Sequence, residues 1–388
     1  MAIGRRLSAS GFAVALVTAL AAGSLASIAP AAAPRAAAVT ASCADTVLAS
    51  MTESQRIGQL FNIALPYDQL SSTMRSAIAT YHFGSFWFSQ KTSAGVTALR
   101  AVSNAVQAQA TLAHTHNVRF FIAANQEGGY VQALNGPGFD VIPTALTQGT
   151  WSTTYLQAKA LRWGRQLRAA GVNLDFAPVA DTVPPGTDSQ NAPIGQMKRE
   201  FGHHVSVVSP HVAAFITGMR GAGVATTAKH FPGLGRVKGN TDFTSGVTDS
   251  ITTRYDSYIQ PFARAVRTGA RFVMVSLATY TKIDRYHQAV FSPTIMRTIL
   301  RGDLGFTGVV MSDSLSATAV SSIIPGSRAI RFLTSGGDMI VIGPVSQAIT
   351  MAKAIAARAA VNSWFRARVN NAALHVLRAK QAAGLLPC

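Results

Sequence analysis

Gly308-Val309-Val310-Met311-Ser312-Asp313-Ser314-Leu315 reads as a short strand that ends on a carboxylate. β-branched and other apolar residues fit a pleated, half-buried surface, and the acid stands where that strand hands over to a loop. Asp313 then has two readings. Aspartate suits the N-cap of a helix. Equally, a carboxylate at the mouth of a barrel can attack an electrophilic carbon or balance a cation.

The same pattern recurs along the chain. Strand-like runs cover Leu60 to Leu65, His82 to Phe88, Arg119 to Ala124, Val172 to Pro178, Val224 to Ala228, Arg271 to Leu277 and Asp338 to Ile342, which with Gly308 to Met311 makes eight. Helix-period stretches lie between them: Ala94 to Ala113, Thr153 to Ala170, Val205 to Arg220, Ser257 to Thr268 and Pro293 to Leu304. Thr52-Glu53-Ser54-Gln55 has the spacing of a capping box. Gly171, Gly223 and Gly308 stand where helices should stop before strands begin. Strand and helix alternating in this way predict an α/β protein, a single-domain (β/α)8 TIM barrel. An open doubly wound sheet would want a glycine-rich phosphate turn after the first strand, and Asn62-Ile63-Ala64-Leu65-Pro66 is not one. No Pro- or Ser-rich linker divides residues 51–388, which are assigned to the barrel, with residues 39–50 as an N-terminal segment.

Residues 1–38 read as a secretory signal. Arg5 and Arg6 precede an apolar run from about Gly11 to Ala22, followed by small residues from Ser24 to Ala38, with cleavage expected after Ala36-Ala37-Ala38. The run is too short for a stable transmembrane span. The expected location is therefore outside the cell, secreted or cell-wall associated. Cys43 and Cys388 are the two cysteines, and an even count in an oxidising compartment predicts a disulfide between the two ends of the domain. A lipidated Cys43 is the rival, although Thr40-Ala41-Ser42 lacks the large aliphatic residue expected upstream; two free thiols are the third reading.

The 388 residues carry 34 Lys and Arg against 16 Asp and Glu, a net charge of +18. With 13% charged and 48% hydrophobic residues the chain is not disordered. No basic helix interleaved with aromatics marks a nucleic-acid surface. The positive charge fits attraction to an anionic cell wall as well as it fits simple solubility. Acids are scarce, so any two-carboxylate chemistry has few residues to draw on.

In a barrel the chemistry belongs at the carboxyl ends of the strands, and polar residues collect there. Asn125, Gln126 and Glu127 follow the third strand and Asp181 lies beyond the fourth. Lys229 and His230 end the fifth, Ser276 the sixth, and Ser312 and Asp313 the seventh. Lys229 and His230 lead into a Pro/Gly loop that suits a site gripping hydroxyl groups, though an ion pair and a core histidine are the structural alternatives. The loop continues through Asn240 to Gly246 and carries Asp242. His203, His204 and His211 fall on an expected surface helix with no metal-ligand template, and His114, His116 and His375 read as solvated helix residues. No metal or organic cofactor is expected.

These segments resemble glycoside hydrolase family 3, in particular its single-domain bacterial β-N-acetylhexosaminidases. Ala124 to Gly129, ANQEGG, is similar to the family's DQEGG segment; Asn173 to Asp181, NLDFAPVAD, to its FAPV-x-D run; and Lys229 to Gly235, KHFPGLG, to KHFPGHG. Ile194-Gly195 followed by Arg199-Glu200-Phe201-Gly202 resembles IG-x-R-S-F with extra residues inside. Phe291-Ser292-Pro293 and Leu304 to Leu315, LGFTGVVMSDSL, follow the family closely. The resemblance implies retaining hydrolysis of terminal β-linked N-acetylglucosamine, with Asp313 as nucleophile and Asn125, Arg199, Lys229 and His230 holding the sugar. A monomer is expected. A role in peptidoglycan turnover would suit an exported member.

The departures matter as much. Family members of this subgroup use a D-S-H loop in which Asp orients a histidine acid/base; here it reads Asp242-Phe243-Thr244. Threonine cannot protonate a leaving group near neutral pH. Asn125 stands in place of a sugar-binding aspartate, Leu234 of a loop histidine and Tyr130 of an arginine. Asp242, His287, Glu127 and Asp249 are the groups left to supply the acid. The alternative is a catalytically impaired carbohydrate-binding protein on the same barrel.

Overall fold

In the strands that build the domain, side chains alternate between two cores. Phe121 and Ala123, Phe272 and Met274, Val309 and Met311, and Met339 and Val341 share one cluster. Their neighbours Phe120, Ile122, Ala124, Val273, Val275, Val310, Ile340 and Ile342 pack in another. Strand side chains have a period of two, so the first set fills the inside of a closed sheet and the second faces its helices. The same parity puts Asn125 and Asp313 on the inward track of their strands.

The structure is a computed structural model that describes residues 1–2, 11, 13–19, 42–65 and 69–388. Arg5, Arg6, the stretch from Ser24 to Ala38 and the expected cleavage site lie outside the described residues. Eight parallel strands form the sheet: β1 (Phe61–Leu65), β2 (Ser85–Phe88), β3 (Phe121–Ala124), β4 (Leu174–Asp175), β5 (Ala225–Phe231), β6 (Phe272–Val275), β7 (Val309–Ser312) and β8 (Ile340–Ile342). Each pairs with its neighbours in chain order, and β8 pairs with β1 through Phe61 opposite Ile340. Ser312 N–H donates to Met339 O at 2.9 Å and Leu315 N–H to Val341 O at 2.9 Å, which joins β7 to β8. The expected (β/α)8 barrel is therefore what the chain forms, and all eight strand runs lie where the sequence puts them.

Helices follow the strands with small corrections. The stretch Ala94 to Ala113 splits into Gly95–Gln107 and Leu112–Thr115, because the Thr111 hydroxyl accepts from His114 N–H and starts a new turn. Thr294–Asp303 is wound as a π-helix. Ahead of β7 the left-handed residue is Gly305, with φ +64°, rather than Gly308. Gly308 is required for another reason, since a β-carbon there would lie 2.4 Å from Arg271 O on the neighbouring strand entry.

The helix Cys43–Ser50 docks on the last helix, Ser363–Gln381, where Ala44, Val47 and Met51 share a cluster with Leu377. Cys43 and Cys388 are joined in a disulfide across 345 residues, with Cα atoms 6.2 Å apart. At the closed end of the barrel Lys380 is fully buried, its Nζ donating to Gln59 Oε1 and Gly84 O, both at 2.7 Å. No helix among the described residues is long and apolar enough to cross a membrane.

Candidate active site

The carboxyl ends of the strands surround a cavity of about 290 Å³, near the lower end of small-molecule sites (roughly 300 Å³ upward) and suited to one sugar ring. Its floor is apolar and built by the inward track: Trp87 on β2, Phe176 after β4, Met274 on β6 and Val341 on β8. Trp87 and Phe176 lie with ring centroids 6.0 Å apart, and the indole N–H of Trp87 meets no protein acceptor. All the expected site residues line this one cavity: Asn125, Arg199, Lys229, His230, Asp242 and Asp313. Leu234 is there too.

The polar wall is organised around Glu127. Arg199 grips it in bidentate fashion, Nε to Oε2 at 2.8 Å and Nη2 to Oε1 at 2.7 Å. Lys229 Nζ lies 2.5 Å from Glu127 Oε1 and donates to Asn125 Oδ1 at 2.8 Å. Burial alone would raise the Glu127 carboxyl, but the Arg199 and Lys229 charges outweigh it and hold it at about 2. Burial likewise works against the charge on Arg199, and Glu127 overcomes that and holds the guanidinium above its ordinary value. Each cation thus keeps hydrogen-bonding capacity on the cavity side while its charge is balanced behind.

His230 is oriented by Asp181. Its Nδ1 lies 2.8 Å from Asp181 Oδ2, and its backbone N–H and that of Leu234 donate to Asp181 Oδ1 at 3.1 and 2.8 Å. One buried carboxylate therefore fixes both the ring and the turn after β5, leaving Nε2 for a ligand. Behind β4, burial pushes the Asp175 carboxyl up to about 7; it accepts from Gln126 N–H at 3.0 Å and anchors the hairpin that carries Glu127.

Asp313 is positioned by its backbone, whose N–H donates to Val275 O at 2.9 Å, and its Oδ1 accepts from Ser314 N–H at 2.8 Å. It precedes no α-helix directly; the next one begins at Pro325. The N-cap reading is thereby set aside. Asp242 sits on the loop after β5, which is tied to the segment after β7 by Thr318 N–H to Asp242 O at 3.2 Å and Ala319 N–H to Thr241 O at 3.1 Å. The residue is open to the cavity, yet protein crowds its carboxyl from the barrel side. Burial first and the Asp313 charge second raise it above the ordinary aspartate value, against the pull of His230, Arg199 and Lys229.

The other groups considered for the acid lie elsewhere. Glu127 is locked between two cations. Asp249 is buried in a turn, accepting from Ile251 N–H, Thr252 N–H and the Thr252 hydroxyl. His287 is exposed on a hairpin with its Nδ1 3.0 Å from Asp284. Neither Asp249 nor His287 lines the cavity.

The readings of four histidines need correcting. His203 and His204 precede the helix Val205–Gly221 instead of lying on it, and His211 is buried, hydrogen-bonded to Val207 O and Trp151 O. His375 is not solvated but joins Arg301 and Arg368 around the buried Asp338. Sequence reasoning missed Trp87, Phe176, Met197 and Phe243 in the cavity wall; an aromatic at a strand end is the signal that marks Trp87. It also missed Glu200, which is fully buried away from the cavity with neither oxygen meeting a donor, its carboxyl pushed by burial up to about 8.

Known proteins resemble this chain along most of its length. It is 43% identical to a β-N-acetylhexosaminidase from Beutenbergia cavernae whose crystal structure superposes with a TM-score of 0.84, covering 86% of this chain and 99% of that one. It is 30% identical over 308 residues to a β-N-acetylglucosaminidase/β-glucosidase of Cellulomonas fimi, 76% of this chain but 52% of that protein. A β-hexosaminidase of Stenotrophomonas maltophilia is 33% identical over 230 residues, 57% of this chain and 66% of that protein. The chain thus spans about half to two thirds of the length of these two relatives. Residues 52–379 match the glycosyl hydrolase family 3 N terminal domain. On that match the chain belongs to glycosyl hydrolase family 3.

Proposed function

We propose that this protein is an exported retaining glycosidase that removes terminal β-linked N-acetylglucosamine, with peptidoglycan fragments as its source. The observation that carries the reading is the shared cavity, in which Asp313 faces the same sugar-sized space as Lys229 and His230. Asp313 attacks the anomeric carbon as the bond to the departing oxygen breaks, forming a glycosyl-enzyme. Asp242, whose raised carboxyl keeps its proton to higher pH than an ordinary aspartate, gives that proton to the leaving oxygen. As a carboxylate it then takes a proton from the water that releases the sugar. Lys229, Arg199, Asn125 and His230 bind ring hydroxyls and the acetamido group, and Trp87 offers an apolar face. The basic leader and the net charge of +18 support export and attraction to an anionic wall.

Thr244 at the place of the dyad histidine favours a second reading, a sugar-binding protein that does not turn over. Aryl β-N-acetylglucosaminides with progressively poorer leaving groups separate the two. The glycosidase cleaves activated aryl substrates and slows as leaving-group pKa rises. A binding protein cleaves none, and its sugar affinity is unchanged by Asp313→Asn.

A further inference from the structure

Between β4 and the helix Val205–Gly221 the chain makes a long loop that contributes Pro193, Met197 and Arg199 to the cavity. On this loop, outside the cavity, Asp188, Glu200 and His203 bring one ligand atom each within 4.8 Å of one another. Glu200 is completely buried, at the position where the family motif carries serine, and neither of its oxygens meets a protein donor. Asp188 Oδ1 and His203 Nδ1 are also buried without a partner and lie 3.7 Å apart. Both Glu200 oxygens thus lack a partner beside an aspartate and a histidine that share the same small space, which is costly because buried polar groups normally find partners. A tetrahedral zinc with ligands about 2.0 to 2.2 Å away spaces them roughly 3.3 to 3.6 Å apart, and the Asp188–His203 pair already stands at 3.7 Å.

We propose that Asp188, Glu200 and His203 form a binding site for one zinc-class divalent cation that pins the loop carrying Arg199. An imidazole with two carboxylates is a borderline donor set that favours zinc over calcium or magnesium, and water fills the remaining coordination. Glu200 adjoins Arg199 in sequence, so a cation here fixes the backbone from which the Glu127-bound guanidinium projects. The site is independent of whether the cavity turns over sugar.

The test titrates Zn²⁺ alone into chelator-dialysed full-length protein, by calorimetry and by thermal melting. One zinc per chain should bind with micromolar or tighter affinity and raise the melting temperature. His203→Ala, at a partly exposed position, should weaken binding by more than the roughly 10- to 100-fold typical of losing an outer-shell partner, and Glu200→Gln should do the same. Cobalt in place of zinc should give the visible bands of a four-coordinate centre, lost in His203→Ala. No binding by the unaltered protein overturns the proposal and leaves a proton shared between Glu200 and Asp188 as the explanation. Equal binding by His203→Ala overturns it too, and that variant decides the matter if Glu200→Gln does not fold.

Discussion

Lys229 Nζ and Glu127 Oε1 lie 2.5 Å apart in the wall of the barrel mouth, both side chains almost completely buried. Arg199 closes on the same carboxylate from the other side at 2.7 and 2.8 Å. Two cations thus share one anion while both line the cavity, Arg199 also donating from Nη1 to Pro193 O at 2.8 Å. The geometry makes Glu127 a positioning residue, although its place in the sequence invites a role as acid.

Glu127→Gln tests that arrangement. Removing one partner of a buried ion pair costs about 3 to 5 kcal/mol, and here it strands two cations. We expect a loss of that order in urea unfolding and a raised KM, with kcat on activated substrates less affected. A variant as stable as the parent, with unchanged KM, contradicts the arrangement.

Asp242, as the proposed acid, should govern the pH dependence. Its folded-state carboxyl titrates above the ordinary 3.8, and it must be protonated to act as acid, so kcat/KM should fall as pH rises through that raised value. Asp242→Asn should abolish this alkaline limb. It should slow poor leaving groups by roughly 10²- to 10⁴-fold while sparing activated ones, and azide should restore turnover by trapping the glycosyl-enzyme. A uniform loss across leaving groups, with the limb intact, assigns the acid elsewhere.

Lys380 gives the barrel floor its own signature. Burial holds its amine well below 10.5, so between the folded and unfolded values the unfolded chain binds the extra proton. Stability then rises with pH in that window and levels off above 10.5. Compared with Lys380→Met, the parent should gain on its variant between neutral pH and pH 10 in urea unfolding. A difference that stays flat with pH contradicts the lowering of the buried amine.

The barrel is legible in the sequence because each strand is a short apolar run, and a closed parallel sheet buries both of its faces. The ends of those runs announce Asn125, Lys229, His230 and Asp313 for the same reason: a polar residue that continues an inward track has the barrel mouth to point into. Arg199 is legible only through its motif. What the sequence hides depends on loop paths. Nothing in the spacing of Asp188 and His203 says that they meet, and the ion pair of Glu127 joins residues 72 and 102 positions away. Asp242 is visible as an acid, but its raised carboxyl depends on crowding by the barrel and on Asp313 across the cavity.

Asp313, as the proposed nucleophile, should form a covalent bond to the sugar. Incubation with a mechanism-based fluorosugar of N-acetylglucosamine, followed by proteolysis and peptide mass spectrometry, reads it directly. Time-dependent inactivation is expected, with one sugar attached to the peptide containing Asp313, and none in Asp313→Asn. A label on another residue, or cleavage of activated substrates with no covalent adduct, would contradict it.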